Sequence, residues 1–147
     1  MLDPIADLYQ YLSAQPDITD TLASYAGAPA IFAGQVPPDH GITEPVVILD
    51  YPTVSERLQT SSNINRDMET NIRLYAQVQS AAGMNTLPLQ QASEAIAAAL
   101  VTARIPVTGG LLRGANVKGP INAPTEDKTL AGRMITVRWR VEEISNI

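Results

Sequence analysis

The clearest pattern in the chain is a strict two-residue alternation. Met68, Thr70, Ile72, Leu74, Ala76 and Val78 alternate with Glu69, Asn71, Arg73, Tyr75, Gln77 and Gln79. Successive strand residues face opposite ways, so the stretch predicts a half-buried strand over 68–79, well beyond the common length of about five or six residues. A second alternation closes the chain. Ile135, Val137, Trp139 and Val141 point one way, while Thr136, Arg138, Arg140 and Glu142 point the other. Thr53 to Thr60 reads as the other arm of a long hairpin with the 68–79 strand, and 61–67 as its polar tip. Pro45 to Pro52 is β-branched and proline-bounded, a further strand. Ala30 to Ala33 is a short apolar run before the turn-rich stretch 34–41, and Leu111 to Val117 is a strand leading into an exposed loop, 119–128.

Helical spacing takes over in the remaining segments. Asp3 and Pro4 form a helix start, since Asp accepts from free N–H groups and Pro is tolerated in the first turn. Ile5, Leu8, Tyr9 and Leu12 then line one face, and Pro16 is expected to end the helix. A short second helix from Ile18 to Tyr25 is expected to follow Asp17 as its cap, closed by Gly27 and Pro29. The longest helix spans 86–103, with Thr86 as cap and Leu89, Ala92, Ile96, Ala99, Leu100 and Ala103 as its stripe. The order α-(α)-β-β-β-β-α-β-β contains no repeated βαβ unit. It predicts an α+β fold: an antiparallel sheet with a long hairpin and helices packed on one face, in a single domain over 1–147.

Composition narrows the chemistry. The chain of 147 residues has no cysteine and one histidine, which excludes a disulfide framework, a thiolate nucleophile and a His-rich metal cage. No apolar run approaches the roughly 20 residues that cross a bilayer, and the first ten residues are acidic where a signal peptide would be basic. The net charge of −5 is unevenly divided. Residues 1–50 hold Asp3, Asp7, Asp17, Asp20, Asp39, Glu44 and Asp50 without a single Lys or Arg, whereas the remainder holds all 10 basic residues against 8 acidic ones. Two readings fit the division: an acidic solvated front, or an acidic part that docks on a basic part of a neighbour.

Candidate catalytic groups are sparse. Asp39 and His40 are the one acid–imidazole pair, set in a Pro/Gly-rich loop without a nucleophile motif to support them. Glu142 and Glu143 face opposite ways on a strand, and Glu126 and Asp127 suit a loop tip. Gly109 and Gly110 lack the following Lys-Ser/Thr of a phosphate loop. Arg138 and Arg140, with Arg133 nearby, form a basic stripe whose simplest partners are cross-strand carboxylates such as Glu69. The stripe has no interleaved aromatic residues on its face, as a nucleic-acid groove would need. No catalytic, cofactor or metal site is expected.

The order of segments does resemble a known family. A helix around Leu8 to Leu12 leads to Ile31–Pro38, then at once to the strand Glu44–Leu49. An arginine-bearing hairpin, the strand Asn71–Ala76 and a long helix follow. Over about residues 5–144, and most specifically over Phe32–Pro38 and Pro45–Leu49, this arrangement resembles the tail terminator, or tail-completion, family of long-tailed bacteriophages and gene-transfer agents. The resemblance implies a non-enzymatic virion protein, made in the bacterial host cytoplasm, that forms a hexameric ring of its own copies. Such a ring ends the tail tube, meeting the tail tube protein on one side and the head-side connector or stopper protein on the other. DNA would pass its lumen without specific binding. Gln35, Pro37, Pro38, Arg57, Arg66, Arg73, Arg138 and Arg140 are the expected interface residues. The rivals are another neck ring, of head-closure or adaptor type, and a small homo-oligomeric α+β enzyme or ligand-binding protein using Asp39, His40 and a carboxylate.

Overall fold

The computed structural model describes residues 2–59, 63–80, 83–102 and 105–144. Helix α1 (Pro4–Ser13) starts as expected, with the Asp3 carboxylate accepting from the Ala6 N–H at 3.1 Å. Leu8 and Leu12 are fully buried, while Tyr9 stays 38% exposed at the border of the stripe. The helix ends at Ser13, just ahead of Pro16 as expected, and Pro16 itself opens α2 (Pro16–Thr19), whose cap position is Gln15 and not Asp17. The helix expected as far as Tyr25 stops there. Strands β1 (Ser24–Tyr25) and β2 (Ala28–Pro29) form a small hairpin instead. Its two loop residues, Ala26 and Gly27, both have positive φ (51° and 82°), the backbone twist that suits a two-residue hairpin turn and no helix.

Strand β3 (Ile31–Ala33) runs parallel to β4 (Val46–Leu49). Parallel neighbours need a crossover, and the 12 residues between the two strands supply it. Next come β5 (Thr53–Gln59) and the 15-residue β6 (Asn63–Gln77), the expected long hairpin. β6 begins inside the stretch expected as a loose tip, so 63–67 is strand, and 60–62 lie outside the described residues. A two-residue pair, β7 (Gln79–Ser80) with β8 (Gly83–Met84), precedes α3 (Leu87–Thr102). The side-chain bond at the start of α3 comes from Asn85, whose Oδ1 accepts from Leu87 N–H at 3.1 Å, and not from Thr86. Ala103, expected in the stripe, lies outside the described residues. Strands β9 (Gly110–Ala123) and β10 (Leu130–Ile144) complete the chain. β9 extends through half of the expected 119–128 loop because pairing with β10 continues past a bulge at residues 119–120.

The main sheet has strand order β3-β4-β6-β10-β9, with β5 pairing beyond β4 along the same edge of β6. Every pairing except β3–β4 is antiparallel. The fold class is thus α+β, with the helices against one face. There Leu8, Leu12, Ile72, Leu74, Ile96, Ile135, Val137 and Trp139 form the core, all at 0% exposure. Burying one such side chain contributes roughly 1.5–3 kcal/mol. A second, smaller cluster sits on the opposite face, where Ala23, Ala30 and Val46 pack with Tyr25, Phe32, Val36, Ile42 and Tyr75. All four residues of β4 are therefore buried, which explains its continuous apolar run.

Candidate functional site: the polar sheet face and its two edges

The face opposite the helices carries most of the residues singled out in the sequence. Register places Arg138 opposite Glu69 and Arg140 opposite Asp67 across β10 and β6. The ion pairs form as expected, Arg138 Nη2 to Glu69 Oε2 at 3.4 Å and Arg140 Nε to Asp67 Oδ1 at 3.5 Å. One step further along, the Thr136 hydroxyl donates to Asn71 Oδ1 at 2.9 Å. Both arginines remain more than half exposed, so each pair stabilises the sheet by only about 0.2–1 kcal/mol. Arg133 does not join this stripe. It lies an odd number of residues from Arg138 on an unbroken β10–β6 register, so alternation puts it on the helix side. There its Nη1 reaches Asn122 Oδ1 at 3.5 Å. Arg66 also falls on the helix-side parity, and its Nε meets Glu143 Oε2 at 2.7 Å. Arg57 lies on β5, and its side chain is outside the described residues.

Arg73 is part-buried and bonded within its own chain. Its guanidinium fork donates to Asp50 through Nε (2.8 Å) and Nη2 (2.7 Å), to the Gly34 carbonyl at 3.3 Å and to the Tyr75 hydroxyl at 3.2 Å. These bonds, Asp50 first, hold its pKa above the ordinary arginine value. The planar fork suits this bidentate task in a way a lysine ammonium does not. Arg73 thereby ties the exits of β3 and β4 to the centre of β6.

The crossover loop 34–45 covers the same face. Gln35 and Pro38 are exposed on it and Pro37 is half-buried. Asp39 accepts from the Tyr25 hydroxyl at 3.2 Å, and this hydrogen bond raises the phenol's pKa. The His40 ring sits edge-on to Tyr25 at 5.4 Å and tilted against Phe32 at 5.7 Å, with a buried Nε2 that has no hydrogen-bond partner among the described residues. The pair singled out as a candidate acid–imidazole couple is thus built into an aromatic cluster that fastens the loop. Among the described residues no group of three or more His, Asp or Glu could hold a metal ion, and no helix is long and apolar enough to cross a membrane.

Sequence reasoning missed two features. The Asp7 carboxylate is buried and accepts from the Thr108 N–H (3.0 Å) and hydroxyl (2.8 Å), which fastens α1 to the segment before β9. Its only forewarning was an acid placed beside Leu8 on the inner side of the helix. The β1–β2 hairpin had a readable signal, Ala26-Gly27 between strand-compatible residues. The edges of the sheet differ in kind. At one, α1 and β3 border a shallow groove with walls from Ile5, Ala6, Tyr9, Ala33 and Leu49, together with Asp3. At the other, β9 pairs, among the described residues, only with β10 and exposes Leu111 (47%) and Ile121 (55%).

No protein-family model matches this chain, and no curated protein sequence does. A solved structure does share its fold. A chain in the virion of a native gene transfer agent particle superposes with a TM-score of 0.73 over 94% of this chain and 93% of that one, at 21% identity.

Proposed function

We propose that this chain is a structural virion component, a tail terminator whose ring ends the tail tube and receives the head-side connector. The observation that carries the reading is the whole-length likeness of fold to a chain of a gene transfer agent virion particle. The sequence pattern over Phe32–Pro38 and Pro45–Leu49 supports it independently. So does the character of the polar face: a ladder of exposed ion pairs, with its candidate acid–base pair absorbed into packing. Such a surface works by complementarity of shape and charge. A ring needs a heterologous contact, in which one surface of a subunit meets a different surface of the next. Gln35 and Pro38 on the crossover loop, the long β5–β6 hairpin with Arg57 and Arg66, and the exposed Arg138 and Arg140 supply surfaces for subunits or partners. Arg73 ties the start of that loop through the Gly34 carbonyl, and Pro37 lies half-buried on it. A net charge of −5 per copy keeps passing DNA from adhering, since attachment to phosphates depends on concentrated Lys and Arg.

Tube growth tests the reading. Added to polymerising tail tube protein from the same particle, the chain should stop elongation and shift the tube lengths downward in a dose-dependent way. Unchanged tube lengths at saturating protein would contradict it. A ring that binds the head-side connector while ignoring tubes would reassign it to another neck position.

A further inference from the structure

The crossover loop 34–45 is fastened to the body in two different ways. Its ends are tied by backbone hydrogen bonds: Gly34 N–H donates to the Leu49 carbonyl at 2.9 Å, Gln77 N–H to the Thr43 carbonyl at 3.0 Å and Ala23 N–H to the Pro45 carbonyl at 2.9 Å. Between those ties, among the described residues, its backbone bonds stay local, as from His40 N–H to the Pro37 carbonyl at 3.0 Å. Side chains hold the middle. Val36 and Ile42 pack in the small apolar cluster, Asp39 accepts from Tyr25, and the His40 ring lies on Tyr25 and Phe32. Beneath them Ala23, Ala30 and Val46 are buried.

One of these fastenings changes charge near neutral pH. Imidazole takes up a proton as pH falls from about 8 to about 5. A neutral ring can leave Nε2 as a bare nitrogen, whereas imidazolium puts an N–H and a share of positive charge there. His40 Nε2 is buried without an acceptor among the described residues, and an unpaired buried charge is costly. The surroundings do not offset that cost. From β1 the Tyr25 phenol, its pKa raised by Asp39, stays neutral, and Phe32 from β3 and Val46 from β4 bring no charge. From β6, Tyr75 shares the cluster, its hydroxyl accepts from Arg73, and the Arg73 charge is matched by Asp50. Within the loop, Glu44 is exposed, and both Asp39 oxygens lie 3.2–3.3 Å from the Tyr25 hydroxyl. No ion pair joins Asp39 to the His40 ring among the described residues.

We propose that the crossover loop is an acid-released lid: protonation of His40 frees residues 36–42 from Tyr25 and Phe32 and uncovers the small apolar cluster. The neutral ring is the form that the closed loop accommodates. The lid is therefore fastened at the upper end of the imidazole range and released as pH falls through it. The backbone ties at both ends keep the loop attached, and the main core on the opposite face is untouched. The inference stands apart from the ring reading, because lid and floor belong to one chain.

The chain has one phenylalanine, one histidine and one tryptophan, and each reports a different part of the device. Fluorinated phenylalanine puts a fluorine on Phe32 under the lid, the carbon-bound ring protons of His40 report its protonation, and Trp139 reports the main core. On acidification from about pH 8 to about pH 5, the fluorine resonance should shift toward its solvent-exposed position in step with the His40 titration, while Trp139 emission stays constant. A dye that lights up on exposed apolar surface should brighten over the same range. His40→Phe keeps an aromatic ring but takes up no proton, so it should hold both signals flat. A fluorine shift that persists in His40→Phe would overturn the proposal. So would a fluorine signal that stays fixed while His40 titrates, or a Trp139 change at the same midpoint, the mark of general unfolding. Should His40→Phe fail to fold, the wild-type midpoints decide: coincidence of fluorine and His40 supports the lid, and separation contradicts it.

Discussion

Arg73 shows most directly how a side chain's place changes its meaning. In the sequence it is an exposed-face arginine on a long strand, available to a neighbour. In the structure its fork is filled by Asp50, Gly34 and Tyr75. Arg73→Lys keeps the charge but loses the bidentate geometry. Hydrogen bonds to charged groups contribute about 1.5–3 kcal/mol, so the substitution should lower unfolding stability by about 1–2 kcal/mol in a denaturant titration. Unchanged stability would mean that the fork does not secure the β3–β4 exits. Thr70 offers the opposite test. It is fully buried on β6, and its hydroxyl makes no hydrogen bond among the described residues. Thr70→Val, close to isosteric, should raise stability by about 1 kcal/mol, because a buried hydroxyl without a partner carries a desolvation cost. A destabilised variant would indicate a partner for that hydroxyl. His40→Ala should loosen the Tyr25–Phe32 cluster while leaving ring assembly and tube termination intact. Loss of a measurable catalytic or ligand-binding activity would favour the rival enzyme reading instead.

At the scale of elements, periodicity was a reliable guide wherever one face was buried and the other wet. The β6 and β10 strands follow the alternation that predicted them, and Trp139, Val137 and Ile135 lie in the core as expected. The failures came where local signals compete. Asp17 and Pro16 both favour a helix start; proline took the first helical position and moved the boundary back. The 119–128 loop was read from its Gly, Pro and Asn content, but register with β10 absorbed the irregularity as a bulge. The second apolar cluster was hidden because Tyr25, Phe32, Val36 and Ile42 are brought together only by the parallel β3–β4 crossover, which no local pattern encodes. The β1–β2 turn carries a clean prediction. Gly27 has φ of 82° and open space around its missing Cβ, so Gly27→Ala meets no clash and bears only the conformational cost. About 1 kcal/mol of stability should be lost, measured by thermal unfolding. No loss would mean that the turn relaxes into another geometry.

For the whole molecule, the sequence made the interface residues legible as types but not as assignments. It marked the arginines of β6 and β10. It could not show that Arg138 and Arg140 are exposed in weak pairs while Arg73, part-buried, is bonded to Asp50, because that depends on which strands become neighbours. The charge division gains content once strand order is known. Strands β3 and β4, from the part without basic residues, lie at one end of the strand order, exposed Lys118, Arg138 and Arg140 lie on β9 and β10 at the other, and α1 reaches Thr108 before β9. Such polarity suits a repeated building block that meets its own copy head to tail. The most direct test of that central claim is the mass of the protein in solution, taken by native mass spectrometry with and without tail tubes and matched to electron micrographs of the same samples. The account predicts a closed ring of six copies, free or on the tube end. A single chain under every condition, with bare tube ends, would contradict it.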